Sequence, residues 1–339
     1  MSDEASVLVR REGRAGRILL NRPKALNALD LPMLRAIAAA LEDWRDDPCV
    51  HLVLIEGAGG RAFCAGGDIR ALRQNQLDGT PERNRLFFSE EYALNAQIAE
   101  YPKPFVSLID GVCMGGGIGV SVHGAYRVAS EHAMFAMPET AIALFPDIGA
   151  SYLLPRLPGV LGMYLGLTGA RVTGADAVHA GLATHFTPRA ALPDLAAALA
   201  RDGVAALAAF AAPLPGFTLA AQVPAITRCF SGDTLAAILA ALEAETTGAQ
   251  AEWARHTLET MAHLSPSSMS WTLRLLRDGA GRTLRQCLAA ELALGVRVTA
   301  HPDFIEGVRA MVVDKDRNPR WQPARIDQVD AAAIATMFA

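Results

Sequence analysis

Nothing in this sequence of 339 residues points to an oxidised or metal-bound scaffold. Its five cysteines, Cys49, Cys64, Cys113, Cys229 and Cys287, are odd in number and form no CxxC pair. That argues against a disulfide framework and a zinc site, and for a reducing compartment. The histidines show no metal-ligand spacing. No uninterrupted apolar run reaches the roughly 18 residues that span a bilayer. The formal net charge is −4 and no basic block occurs, so nucleic-acid binding is not indicated. The opening MSDEASVLVRREG is acidic and lacks both the apolar stretch of a secretory signal and the arginine-rich character of a transit peptide. These absences lead to the expectation of a cytoplasmic protein with no membrane or nucleic-acid partner. What is present is apolar: 51% hydrophobic residues against 19% charged, enough for a sizeable core in one large domain or two ordinary ones.

Read in order, VLVRRE and GRILLN around GRAG predict a hairpin over 6–21, closed off by Pro23. Leu34, Ile37, Ala38, Leu41 and Trp44 fall at helical spacing. HLVLIEG (51–57) reads as a buried strand, followed by a glycine-rich loop entering a helix over 57–72, and residues 83–100 read as a helix. Up to about residue 195, strands and helices alternate, which argues α/β. Beyond it the pattern is helical, as in GDTLAAILAALEAE and PSSMSWTLRLLRDG, with a proline-marked break at Pro213, Pro215 and Pro224. The expected organisation is therefore an α/β core over 1–195 and a helical region over 196–339 that covers the site.

The stretch 101–157 is the centre of this organisation. It reads as a strand, a triple-glycine turn opening a helix, two short strands, and a loop holding two acids, Glu139 in AMPETAI and Asp147 in LFPDIG. Carboxylates in so apolar a loop are either catalytic or structural, as a helix cap and a turn acid. The glycines of AGGD (65–68) and MGGGIG (114–119) let the backbone approach a ligand closely, and the second turn opens a helix whose N-terminus favours negative charge.

At FCAGGDI (63–69), CMGGGIG (113–119) and MPETAIALFPDIG (137–149) the chain resembles the crotonase, or enoyl-CoA hydratase/isomerase, superfamily, and within it the 3-hydroxyisobutyryl-CoA hydrolase branch. LNRPKALNAL (20–29), EEYALN (90–95) and DFIEGVRAMVVDKDRNPRW (303–321) extend the resemblance over nearly the whole chain. It implies a crotonase-type (ClpP/crotonase) spiral of β-β-α turns with a helical C-terminal region. The substrate it implies is an acyl-CoA thioester, with CoA arriving on the substrate and no separate cofactor or metal. The reaction implied is hydrolysis of 3-hydroxyisobutyryl-CoA, a step of valine breakdown. Superfamily members are often trimers or dimers of trimers, which leaves self-association open.

Residue by residue, the resemblance places Gly67 and Gly116 at the two oxyanion-hole positions. Glu139 matches the retained catalytic glutamate, as nucleophile or as the base that activates water. Hydratases carry a second glutamate in GGGxE; here Gly119 stands there, and Asp147 appears where hydratases typically have glycine. Two acids in one apolar cavity should have their pKa values pushed apart. Glu91 matches a substrate-contacting carboxylate, against the alternative of a solvated charge like Glu90. The CoA adenine is expected along Lys24, Ala25 and Asn27 and along Ala65, Gly66, Gly67, Asp68 and Ile69, with Lys24 and Arg70 as candidate phosphate partners. Asp68 reads better as a loop cap, His123 as a buried satisfied side chain, and Cys64 and Cys113 as small core residues. Ala150 and Ser151 depart from the hydrolase pattern, which usually has glycines there. A hydratase or isomerase, or a catalytically silent CoA-binding subunit, are the alternatives.

Overall fold

Gly13, at φ +56, makes the turn that joins β1 (Val7–Glu12) to β2 (Ala15–Leu20) in an antiparallel hairpin. In the computed structural model, which describes residues 5–339, this hairpin opens the first of two compact units. Met1–Glu4, the acidic opening on which the targeting expectation rests, lies outside the described residues. The first unit comprises residues up to Asp68, Glu90–Phe135 and Val172–Phe217.

Within it, β3 (Leu52–Gly57), β4 (Ala62–Cys64), β5 (Phe105–Ile109), β6 (Val112–Met114), β7 (Tyr126–Ala129) and β8 (Met134–Ala136) follow in sequence. They are dealt alternately to two sheets. One has the order β1-β2-β3-β5-β7-β10, where β10 is His185–Phe186; the other has β4-β6-β8-β9, where β9 is Val172–Thr173. Each chain turn gives one strand to each sheet and then a crossover, which is the β-β-α spiral expected. The strands β2, β3, β5 and β7 pair in parallel, with Ile18 opposite Ile55 and Leu108 opposite Val128. Parallel pairing requires crossover connections and buried faces, and β5 is buried at all five positions.

The sequence reads one strand before the glycine turn where the structure has two. The break is Gly111, at φ +80, where a Cβ would come 2.3 Å from Arg61 O. Only glycine turns the chain there. Residue 195, the expected domain boundary, falls inside the helix Leu192–Asp202, whose Leu195, Ala196 and Leu199 pack with Leu52, Leu54, Val106 and Val128.

The second unit gathers Ile69–Ser89, Ala136–Arg171 and Thr218–Ala339, and is helical. Its centre is the loop 139–149 and two long helices. Pro266–Gly279 is capped by Ser265, and Leu284–Thr299 starts at a capping box of Thr283 and Gln286. Trp321 Nε1 donates to His263 O at 3.0 Å, which ties down the charged C-terminal stretch. No helix among the described residues is long and apolar enough to cross a membrane.

Candidate active site

The glycine-rich loop 65–68 does not fold alone. Ala65 N donates to Leu26 O at 3.0 Å, Leu29 N to Gly66 O at 2.8 Å, and Asp68 N to Leu29 O at 2.9 Å. The bridge between Leu29 and Gly67 thus uses Gly66 O and Asp68 N, and the Gly67 N–H between them takes no part in it. These bonds bring together the two stretches expected to hold CoA. Lys24 and Ala25 are exposed; Ala65, Gly67 and Asp68 are half-buried. Asn27 is buried, at φ +57, and its side chain is taken up by the loop: Nδ2 donates to Ala58 O and Ala62 O, and Oδ1 accepts from Arg22 N. Its backbone N–H also donates, to Arg22 O at 2.9 Å. Asp68 pairs with Arg22 at 3.7 Å, in keeping with a loop-fixing role. Ile69 opens the helix Ile69–Leu77. Arg70 donates to Val312 O at 2.5 Å, so its guanidinium has a partner in the protein.

Against this loop lies the second glycine turn. Gly115, at φ +47, caps the helix Gly116–Val122, and Gly116 is its first residue. First-turn amides have no helical acceptor. A Cβ on Gly66 would stand 3.2 Å from Met114 O, and one on Gly116 would stand 3.2 Å from Gly67 N. The backbones of Gly66 and Gly67 and of Gly116 are therefore packed against each other; an oxyanion hole needs two amides aimed at one point.

Glu91 reaches the same place. It is buried, at 2% exposure, on the helix Pro81–Ala99, and its Oε1 is 2.4 Å from where a Cβ of Gly116 would be. Its neighbour Glu90 instead pairs with Arg35 at 2.7 Å on the surface. The two adjacent glutamates have different environments, and Glu91 is not the solvated one.

Glu139 and Asp147 stand in the second unit. Glu139 begins the 3-10 turn Glu139–Ile142, with Pro138 at the N-cap position. The turn is held by Ser265 N donating to Thr140 O at 3.1 Å, by the Ser268 hydroxyl on Leu144 O, and by Leu144 N on Glu139 O at 3.0 Å. Both acids are 5% exposed. Glu139 Oε2 is buried and meets no hydrogen-bond partner among the described residues. Burial first, and the nearby Asp147 carboxylate second, hold the Glu139 pKa well above its ordinary value.

A third acid, absent from the sequence reading, lies beside them. Glu291, fully buried on the helix Leu284–Thr299, accepts from Gly149 N at 2.6 Å, from Ser151 N at 2.9 Å and from the Ser151 hydroxyl at 2.5 Å. Burial pushes its pKa up to about 8; those three bonds pull against that and Asp147 adds to it. The available signal was a lone glutamate on an otherwise apolar face of Cys287, Leu288, Leu294, Gly295 and Val298.

Cys64 and Cys113 are buried thiols. Burial raises the Cys64 thiol to about 12 and Cys113 also upward, so neither is a nucleophile at neutral pH. His123 is the half-buried C-cap of the glycine helix, less buried than expected.

Residues 15–338 match the family described as Enoyl-CoA hydratase/isomerase. The chain is 44% identical to 3-hydroxyisobutyryl-CoA hydrolase, mitochondrial, of Xenopus tropicalis, over 99% of this chain and 89% of the relative. A crystal structure titled as a carnitinyl-CoA dehydratase from Mycobacterium thermoresistibile is 42% identical, with a TM-score of 0.94, over 99% of this chain and 97% of that one. One titled as an enoyl-CoA hydratase from Rhodobacter sphaeroides 2.4.1 is also 42% identical, with a TM-score of 0.91 and the same coverage. With the two-sheet spiral and the paired glycine turns, these matches make the chain a member of the enoyl-CoA hydratase/isomerase family.

Proposed function

We propose that the protein hydrolyses 3-hydroxyisobutyryl-CoA, or a closely similar 3-hydroxyacyl-CoA thioester, to the free acid and CoA, as a step of valine breakdown. The observation that carries this reading is the acid inventory. Asp147 accompanies Glu139 in a buried loop, while Gly119, where a hydratase of this family has its second glutamate, is a buried helical glycine. Water addition across a double bond wants two acid–base groups at the substrate. Thioester hydrolysis wants a nucleophile or base, an oxyanion hole and a proton donor for the departing thiolate.

In this reading the N–H groups of Gly67 and Gly116 hold the developing thioester oxyanion, and Glu91 accepts a hydrogen bond from the 3-hydroxyl. Glu139 attacks the acyl carbon, or removes a proton from the water that does. Asp147 orients that water or protonates the CoA thiolate. Glu139 without a hydrogen-bond partner on Oε2 suits a group that must reach a substrate atom. CoA comes and goes with substrate and product, and no further cofactor enters. A cytoplasmic setting belongs to the same proposal and is read out by cell fractionation; the Xenopus relative is mitochondrial by name.

A second reading, hydration or dehydration of an acyl-CoA, is favoured by the dehydratase and hydratase names of the two solved structures at 42% identity. The test is free-thiol release from 3-hydroxyisobutyryl-CoA, run beside hydration of crotonyl-CoA. Thiol release that disappears in Glu139→Ala and Asp147→Ala supports the hydrolase. Hydration without thiol release overturns it.

A further inference from the structure

The backbone around Asp147 is held in a conformation that its residues do not favour. Ile148 sits at φ +57 and Gly149 at φ +84. For a β-branched residue the left-handed region is a true outlier, and such strain persists only where surrounding contacts impose it. The contacts are visible. Ala150 N donates to Asp147 O at 2.9 Å, closing the turn. Immediately after it, the N–H groups of Gly149 and Ser151 and the Ser151 hydroxyl all point at one carboxyl group, that of Glu291, 140 or more residues away in sequence.

The helix carrying Glu291 meets this loop at three successive turns. Cys287, Glu291 and Gly295 recur every fourth residue, so they share one face. Cys287 interacts with Ser151, and Gly295 lies beside Phe145 and Phe88, whose ring atoms would be in ordinary contact, at 3.7–3.8 Å, with a Cβ placed there. On the other side, a Cβ on Gly279 would come 2.0 Å from Ser151 O, so Ser151 cannot shift toward that helix. The loop from Phe145 to Ser151 is held from both sides, and Glu291 bonds it three times.

We propose that Glu291 is a positioning residue for the reaction: its carboxyl group, with Ser151 as its partner, sets the turn that aims Asp147. This rests on the hydrolase reading, since it is the role of Asp147 there that makes its aim matter. It also gives Ser151, a departure from the usual hydrolase glycine, a task. The serine supplies a hydroxyl donor that glycine cannot.

The test compares wild type, Glu291→Met, Glu291→Gln and Ser151→Ala in thiol release from 3-hydroxyisobutyryl-CoA, with thermal melts for each. Methionine keeps the volume and removes both acceptors; glutamine keeps one. Misplacement of a reacting group by about 1 Å can cost about 100-fold, so kcat should fall by about 10- to 100-fold in Glu291→Met and less in Glu291→Gln. KM should stay within about threefold, because the CoA-contacting loops are untouched. Placed on Asp147→Asn, the Glu291→Met change should cost almost nothing more, as expected when one residue acts through the other. A folded Glu291→Met enzyme with unchanged kcat, or one whose loss simply multiplies with that of Asp147→Asn, overturns the inference alone. A wild type that releases no thiol overturns the hydrolase reading and this inference with it. If Glu291→Met does not fold, Ser151→Ala decides: a severalfold fall in kcat at constant KM supports the role, and an unchanged kcat removes it.

Discussion

Oε1 of Glu91 lies 2.4 Å from the point that a Cβ on Gly116 would occupy, and Leu29 Cδ1 lies 3.3 Å from it. The first residue of the glycine helix is therefore glycine for a steric reason and not for its backbone angles. A methyl group there must displace the Glu91 carboxyl group or push away the Gly67 loop. Gly116→Ala keeps its own N–H but pushes the Glu91 carboxyl group or the Gly67 N–H out of place, so it should leave the melting temperature within a few degrees and lower thiol release by about 10²–10³-fold, as when one oxyanion donor is moved out of reach. Steady-state kinetics at saturating substrate checks it; a variant within about threefold of wild type would mean that this turn does not hold the reacting oxygen.

The Glu139 carboxyl group is driven upward by burial and then by Asp147. A base or nucleophile works ionised, so activity should rise with pH along a limb set above the ordinary carboxylate range. Removing the Asp147 charge in Asp147→Asn lowers the Glu139 pKa. Whatever activity remains should then show its acid limb at lower pH than in wild type. Glu139→Gln should lose about 10²–10⁴-fold at every pH. An acid limb that stays in place in Asp147→Asn would detach the two acids from each other.

The parts legible in the sequence were those whose constraint is local. The turns at Gly66 and Gly115 need backbone that only glycine supplies cheaply, and both have positive φ. The two acids announce themselves because LFPDIG and AMPETAI contain nothing else that is charged. The parts that were not legible depend on contacts distant in sequence. Nothing near Glu291 says that it will meet Gly149 and Ser151 more than 100 residues earlier, and an isolated helical glutamate is ordinarily a surface group. Glu91 was singled out from Glu90 by the family resemblance at EEYALN and not by any local pattern, and in the structure one finds Arg35 and the other lies against Gly116. The break between β5 and β6 did have a local signal, the Asp110-Gly111 pair, passed over because PFVSLIDGVCM is otherwise apolar; the close approach of Arg61 O to Gly111 shows why glycine stands there.

The cysteines set a further expectation that also bears on any thiol-release assay. Cys49 is exposed, and Cys64, Cys113, Cys229 and Cys287 are buried. Burial raises the pKa of all four buried thiols, Cys64 to about 12. Thiolate is the reactive form, so a maleimide should label Cys49 alone in the native protein and every cysteine in denaturant. Mass spectrometry after a short pulse counts the labels. Rapid native labelling at Cys64 or Cys113 would mean that the strands beside the glycine turns open far more readily than their packing implies.

Glu291 also ties stability to pH, and the sign follows from its raised pKa. Its carboxyl group goes from an ordinary 4.5 to about 8 in the fold, chiefly through burial. A group that holds its proton more tightly when folded contributes stability that is complete below about pH 4.5 and lost as pH climbs through about 8. Asp303, raised to about 6 by burial, and Glu139 act in the same direction, so wild type should melt at lower temperature as the medium becomes alkaline. Glutamine resembles the neutral acid and cannot ionise. At low pH Glu291→Gln should be the less stable protein, because its amide nitrogen meets donors where the acid presents an acceptor. As pH rises the deficit should shrink, since Asp303 and Glu139 are common to both proteins and only the Glu291 ionisation differs. Thermal melts of both proteins from about pH 5 to pH 9 check this. Two melting curves that fall in parallel would mean that Glu291 does not change its protonation over that range, and the alkaline loss would then belong to the other two acids.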